Sequence, residues 1–223
     1  MAYLKALYLL AEESDPGSAP KRHPIDRRVT TTAIAERLRV SAPSATNMLK
    51  RLAARDLVTY ERYRGASLTR KGRELALELV RHHRLLETYL VEILGVPWHE
   101  AHSEAEALEG ALSEALEERM AAALGHPRFD PHGHPIPTRN GAMPETSCRS
   151  LWEVGEGEEV VIERVADSHP DALRYLAEAG MLPGVKLTVV DRGPIAGPLF
   201  VRIDDEVAPA ALSKEVAEAI WVQ

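Results

Sequence analysis

Two clusters of histidine and carboxylate lie close together in RHHRLLETYLVEILGVPWHEAHSEAEALEG, residues 81–110: His83 with Glu87, then His102 with Glu106 and Glu109. At about 100° per residue, positions i, i+4 and i+7 stay within one narrow sector of a helix, so each cluster points its donors the same way. Imidazole nitrogen and carboxylate oxygen without thiolate form a half-shell that suits manganese, ferrous iron, cobalt or zinc better than copper(I) or an iron–sulfur cluster. One such pair alone would read as solvated positions on an amphipathic helix. Two clusters facing each other across a short turn argue for a bound cation.

The elements that must position these donors are helices. Residues 71–94 carry Leu75, Leu79, Leu86, Leu90 and Ile93 at apolar helical spacing, and Gly95-Val96-Pro97 ends the run. Residues 98–124 read as a second continuous helix with Leu108, Leu112, Leu116 and Met120 on one face. Upstream, residues 3–13 predict a first helix, and residues 14–28, rich in Pro, Gly and charge, a loop. Thr31 or Thr32 then caps a short helix that turns Ile34, Ala35 and Leu38 inward, and Ser41 caps the next, with Pro43 in its first turn. That next helix buries Ala45, Met48, Leu49 and Leu52 and turns Ser44, Thr46, Asn47, Lys50 and Arg51 outward.

Two short helices joined by a tight turn, the second bearing small polar and basic residues, make a helix-turn-helix pattern. Residues 57–69 follow as two short strands about a turn near Arg64-Gly65, a wing with Arg62 and Arg64 at its tip. The candidate DNA contacts are Thr32, Ser41, Ser44, Thr46, Asn47, Lys50, Arg51, Arg62 and Arg64. An amide can read adenine, hydroxyls can bond bases or phosphates, and the cations neutralise phosphates.

Charge supports that division. The net charge is -7, yet residues 1–75 carry 15 Lys+Arg against 8 Asp+Glu, while residues 76–223 carry 12 against 26. A basic module on an acidic remainder points the first third at an anionic polymer. No apolar run approaches the roughly 20 residues that span a bilayer, and the start turns acidic too early for a secretory signal, so a cytoplasmic protein with no membrane partner is expected. The lone Cys148 excludes an intrachain disulfide and a zinc site of several thiolates. Residues 151–223 change grammar: strand-like VVIERV, a helix over 171–179, Gly180 as its stop, a Pro183-Gly184 turn, then KLTVVD, LFVRID and AIWV, which together suggest a small barrel. A metallohydrolase using Glu109 as general base finds no HExxH motif, nucleophile elbow or Gly-rich phosphate loop to support it, so no enzyme is expected.

The succession YLKALYLL, IAERLRVSAPSATNMLKRLAARDLVTYERYRGASLTRKG, RHHRLLETYL, HEAHSEAEALE and PHGHPIP runs in one unbroken order over residues 1–137. It resembles the diphtheria-toxin-repressor family of metal-dependent transcriptional repressors, in particular the manganese-responsive branch. RYLAEAGMLPGVKLTVV resembles the SH3-like domain that ends many members and also occurs in proteins associated with ferrous iron transport. The resemblance implies a mainly α chain with a small β domain: a winged helix-turn-helix over 1–73, a helical dimerisation and metal-binding domain over 74–137, a linker over 138–150 and an SH3-like β-barrel of FeoA type over 151–223. It implies a homodimer on double-stranded promoter DNA with a palindromic operator. Mn(II), or alternatively Fe(II), would be the corepressor controlling metal-uptake genes, with Zn(II) or Co(II) able to substitute in vitro. A metal-independent winged-helix regulator is the rival reading.

Position by position, the resemblance assigns His83, Glu87 and His102 to one metal site, completed by a residue from the last domain. His169 and Asp171 are the candidates, with Asp171 preferred. For the other site Glu106 and Glu109 match, but Gly110 stands where the family often has histidine, and Ala2 where it commonly offers Asp, Glu or Met. Asp130-Pro131-His132-Gly133 resembles a Cys-Pro-His-Gly segment that some manganese-type members use for ligands, so Asp130 and His132 are expected to replace the missing partners. His126 and His134 read as solvated loop residues and Cys148 as a bystander.

Overall fold

A computed structural model describes residues 2–13, 27–167, 170–194, 197–204 and 208–223. Most of the loop expected over 14–28, and His169, lie outside the described residues. Contacts group the chain into two units, Met1–Arg81 with Pro137–Met143, and His82–Ile136 with Pro144–Gln223.

In the first unit, helix α1 (Ala2–Glu13) buries Leu4, Leu7, Tyr8 and Ala11 at helical spacing. Helix α2 (Thr31–Arg37) is capped by Thr30, one residue earlier than the sequence suggests, its hydroxyl accepting the Ala33 N–H at 3.1 Å. Helix α3 (Ala42–Ala53) starts as expected, with Ser41 accepting the Ser44 N–H at 3.3 Å and Pro43 in the first turn. It buries Ala45, Leu49 and Leu52, while Met48 is half-buried. Strands β1 (Val58–Glu61) and β2 (Gly65–Leu68) pair antiparallel with Glu61 opposite Gly65, which makes Arg62-Tyr63-Arg64 the tip of the wing. Val29 bridges to Ala66 beside them. Gly65 is required there: its φ is +87°, and a Cβ would stand 2.1 Å from the Val29 oxygen.

Helix α4 (Arg70–Glu92) begins in this unit as a continuous 23-residue element. Residues 137–143 return to its first half, where an Arg81 guanidinium N–H donates to the Pro137 oxygen at 2.8 Å and Met143 packs on the core. The first residues of the expected linker are thus a packed part of the unit.

The second unit holds the rest of α4, helices α5 (Ala101–Leu108) and α6 (Glu114–Ala123), the connection over 126–136 and the C-terminal sheet domain. One continuous helix over 98–124 is not formed. Helix α5 ends in a single 3-10 turn over Glu109–Ala111, Leu112 is extended, and Ser113 caps α6 by accepting the Leu116 N–H at 3.3 Å. Gly110 weakens the helix at that point, and Ser113 followed by Glu114 and Glu117 forms a strong new N-terminus. Leu86, Leu90, Ala105 and Met120 form the helical core, with Leu85, Ala121 and Ile136 as a smaller cluster.

The sheet domain runs β3 (Arg149–Ser150), β4 (Glu159–Val165), α7 (Pro170–Glu178), β5 (Lys186–Arg192), β6 (Leu199–Ile203), β7 (Ala210–Leu212), α8 (Lys214–Glu218) and β8 (Ile220–Val222). Its strands are antiparallel in the order β3-β8-β4-β5-β6-β7, with register shifts in β4 and β5 that bend the sheet around Ile162, Val165, Leu187, Val201 and Ile220. This is the small SH3-like β domain that the resemblance implies.

Candidate metal centre and nucleic-acid interface

Helix α4 sets His83 and Glu87 one turn apart, with His83 Nε2 3.0 Å from Glu87 Oε1. Helix α5 brings in His102, whose Nδ1 lies 3.0 Å from the same oxygen and 3.1 Å from His83 Nε2. Beyond the end of β4, Asp167 places Oδ2 3.4 Å from His102 Nδ1. One ligand atom from each of these four residues falls within 4.8 Å of the others. Glu109, in the 3-10 turn, places Oε2 2.8 Å from His83 Nδ1 and so fixes that ring from behind.

The other oxygen of Glu87 faces a second set. The Asp130-Pro131-His132-Gly133 segment is shaped by Asp130 itself, whose Oδ1 accepts the N–H groups of His132 and His134, both at 2.9 Å. Gly133 has φ +88°, and a Cβ there would meet the Glu163 oxygen at 2.0 Å, so only glycine lets the loop lie against β4. The Val165 N–H then donates to the His132 oxygen at 2.9 Å. His132 is completely buried, with Nδ1 4.0 Å from Glu87 Oε2.

Glu87 Oε2, Asp130 Oδ2 and His132 Nδ1 are all buried without a hydrogen-bond partner. Such groups cost roughly 1–3 kcal/mol each when left unsatisfied. Glu87, Asp130 and His132 each bring a ligand atom within 4.8 Å of the other two. Nitrogen and carboxylate oxygen converging in this way fit a divalent cation of the manganese, iron, cobalt and zinc kind.

Electrostatics agree. Burial by itself would raise the Glu87 carboxyl, but His83 and His102 hold it far below the carboxylate range. Burial would likewise raise Asp167, and the hydrogen bond from His102 brings it well down. Burial opposes a charged His102, yet Asp167 and Glu87 push it up to about 10. In the metal-free protein that ring carries the positive charge the carboxylates need.

Several expected site residues stand elsewhere than anticipated. Asp171 does not reach the centre: its side chain is 99% exposed at the start of α7 and lies 3.8 Å from Arg174. Asp167, two residues after β4, is the acid that the sheet domain brings to His102. Its signal was its place directly behind a predicted strand, whereas the helix start drew the expectation. Glu106, 58% exposed and 3.8 Å from His102 Nε2, lies at the rim. Glu109 goes to His83, and Asp130 and His132 go to Glu87, so Glu106, Glu109, Asp130 and His132 do not assemble into a separate site. His126 is exposed as expected, but His134 is half-buried with Nδ1 3.5 Å from Asp130 Oδ2. Cys148 is buried, which pushes its thiol up, and lies outside both groups of donors.

In the first unit, Thr32, Ser41, Ser44, Asn47, Lys50, Arg51, Arg62 and Arg64 are exposed and Thr46 is half-buried. A concavity of about 740 Å³ lined by Thr30, Thr32, Thr46, Lys50 and Arg62 separates the helices from the wing. Tyr63, 89% exposed beneath the Arg62 guanidinium at 4.7 Å, is a wing-tip residue that sequence reasoning passed over. Glu61 pairs with Arg28 and with Arg64, and its hydrogen bond from Arg28 holds its carboxyl low.

Comparison with known proteins matches these parts in order. Residues 26–66 match the iron dependent repressor N-terminal DNA binding domain, 69–138 the iron dependent repressor metal binding and dimerisation domain, and 149–223 the FeoA domain. The chain is 34% identical over 233 residues to the iron-dependent repressor IdeR of Mycobacterium tuberculosis, covering 99% of this chain and 95% of that protein. A solved manganese-dependent transcriptional repressor in complex with manganese superposes with a TM-score of 0.88 at 39% identity, over 99% of this chain and 97% of that one. The structure of ScaR with bound Cd2+ gives a TM-score of 0.80 at 31% identity, over 100% and 97%. Among the described residues no helix is long and apolar enough to cross a membrane. By sequence over nearly its whole length and by fold, the chain belongs to the iron-dependent repressor family, the metal-dependent DNA-binding transcriptional regulators of metal homeostasis.

Proposed function

We propose that the chain is a manganese-responsive repressor, with Fe(II) as the alternative corepressor, that acts as a homodimer on a palindromic operator of metal-uptake genes. The observation that carries the metal reading is the convergence of the buried residues Glu87, Asp130 and His132, each with a buried polar atom that has no hydrogen-bond partner, beside Arg84 Nε and His134 Nδ1 at 3.7 and 3.5 Å from Asp130 Oδ2. Glu87 is the pivot, because its Oε1 faces His83 and His102 while its Oε2 faces His132. His83, Glu87, His102 and Asp167 would hold one cation and Glu87, Asp130 and His132 a second, and Glu109 steadies His83. A bound divalent ion supplies there the positive charge that three clustered carboxylates require. The donors of this set, all imidazole and carboxylate, and the manganese bound by the 39% identical neighbour favour Mn(II).

The ligands come from α4, α5, the 126–136 connection and the end of β4, so holding them together selects one arrangement of four segments. If that arrangement is the one that suits the operator, metal affinity and DNA affinity rise together by the same factor. Ser44, Thr46, Asn47, Lys50 and Arg51 on α3 then read the major groove, and Arg62 and Arg64 meet the phosphate backbone. Two such heads on a dimer match half-sites roughly 34 Å apart.

Fluorescence anisotropy on promoter DNA tests this. Mn(II) should tighten binding and chelator should reverse it, with Fe(II) compared under anaerobic conditions. Glu87→Gln should remove the Mn(II) effect while circular dichroism stays native. DNA affinity that is indifferent to chelator defeats the corepressor reading and favours the metal-independent regulator.

A further inference from the structure

We propose that Trp98 is a positioning residue of the metal centre: it holds His132 in the tautomer that presents Nδ1 to Glu87 and Asp130. The purpose of this arrangement rests on the metal-centre reading above. Its geometry does not.

Trp98 lies in the turn before α5, and its carbonyl oxygen is 3.1 Å from His132 Nε2. A carbonyl only accepts, so the hydrogen resides on Nε2. In the neutral ring Nδ1 then carries a lone pair, and Nδ1 is the atom that lies 4.0 Å from Glu87 Oε2 with no hydrogen-bond partner. The opposite tautomer would set two lone pairs against each other at Trp98 and aim an N–H at the carboxylates, filling the place of a cation with a proton. His132 is completely buried, so no bulk water competes for Nε2.

The Trp98 side chain secures what its carbonyl does. The indole Nε1–H donates at 2.8 Å to the oxygen of Pro131, the residue before His132. The indole ring lies 4.9 Å from the imidazole at an interplanar angle of 40°, and the side chain also packs against the core of the sheet domain. His132 is thus gripped through its ring nitrogen, its ring face and its preceding peptide by one residue. Partners on the far nitrogen of a ligand histidine fix its tautomer and strengthen metal binding in general.

The test uses the full-length, metal-free protein labelled with ¹⁵N-histidine, with the His132 signals assigned by their loss in His132→Gln. The wild-type protein is expected to show the Nε2–H tautomer at His132. An Nδ1–H tautomer there overturns the proposal, whatever the variants do. Trp98→Phe keeps a ring and loses the indole donor, and Trp98→Ala loses both. Mixed tautomers are expected in both, with Mn(II) affinity weakened roughly 10- to 100-fold in Trp98→Ala and less in Trp98→Phe. Variants that retain the Nε2–H signal and wild-type Mn(II) affinity overturn the proposal. If Trp98→Ala does not fold, the wild-type and Trp98→Phe spectra decide. Failure of the metal-centre reading shows differently, as wild-type protein that has the Nε2–H tautomer but does not bind Mn(II).

Discussion

In the metal-free protein the positive charge beside Glu87 and Asp167 belongs to the His102 imidazolium, which a ligand histidine must surrender. With His102 pushed up to about 10, Mn(II) binding near neutral pH should release a proton, and affinity should rise about tenfold per pH unit between pH 7 and 9 for that single proton. Calorimetry in buffers of different ionisation enthalpy reads the release directly, and a pH-independent affinity without proton release would contradict it. Stability without metal has the opposite slope. His102 is raised from 6.5 to about 10, so its contribution is complete below about 6.5 and is lost as pH rises through about 10. Glu87 and Asp167 are depressed, so theirs is present above their ordinary values of 4.5 and 3.8 and is lost as pH falls through the folded ones. Urea midpoints in chelator should therefore decline from pH 6.5 to pH 9. The same scale separates Asp167 from Asp171. Asp167→Asn should weaken Mn(II) binding at least about tenfold, while Asp171→Asn, far out in solvent, should leave it unchanged; equal effects in a Mn(II) titration would return Asp171 to the site. His83 and Glu87 were legible as a pair because a helix keeps i and i+4 together, and the family resemblance joined His102 to them. Asp167 was not, because its approach depends on where β4 ends in space, which no local spacing encodes.

Elements decide how firmly those side chains are held. The 130–133 loop is built by Asp130 Oδ1 and by Gly133, whose φ of +88° and 2.0 Å approach to the Glu163 oxygen leave no room for a methyl group. Gly133→Ala should cost about 2 kcal/mol or more, and because it moves His132 it should also weaken Mn(II) binding. Ser113→Ala, which removes only the α6 cap, should cost about 1 kcal/mol with Mn(II) affinity intact. Denaturant unfolding beside a Mn(II) titration distinguishes the two, and a Gly133→Ala protein of native stability would refute the packing argument. The pattern of apolar residues made α1, α3 and the long strands β4, β5 and β6 readable, since periods of 3.6 and 2 survive in any context. The break between α5 and α6 escaped because Gly110 was weighed as a missing ligand, when its physical effect is to weaken a helix just ahead of a serine that can start another. The two-residue β3 and three-residue β7 are too short for alternation to register.

At the scale of the molecule, charge and grammar marked a basic DNA-reading third and an acidic remainder, but not that residues 137–143 fold back on α4. That contact depends on where Arg81 and Met143 finish, not on linker composition. Assembly can be argued further. The segment matched by the metal binding and dimerisation domain leaves Ile93 and Leu94, in the turn after α4, Leu108 on α5 and Leu116 on α6 between 45% and 61% exposed. Large apolar side chains left open on neighbouring elements of one domain are what a self-complementary dimer would cover. None of the four is a metal-ligand candidate. Leu94→Glu with Leu116→Glu should therefore produce a monomer by light scattering while leaving Mn(II) affinity close to wild type. A monomer engages one half-site at a time, so operator affinity should fall roughly 100-fold or more even with Mn(II) saturating. A double variant that remains dimeric, or a monomer that binds the full operator as tightly as the wild-type protein, would mean that these side chains are not the interface or that the operator is not read in two halves.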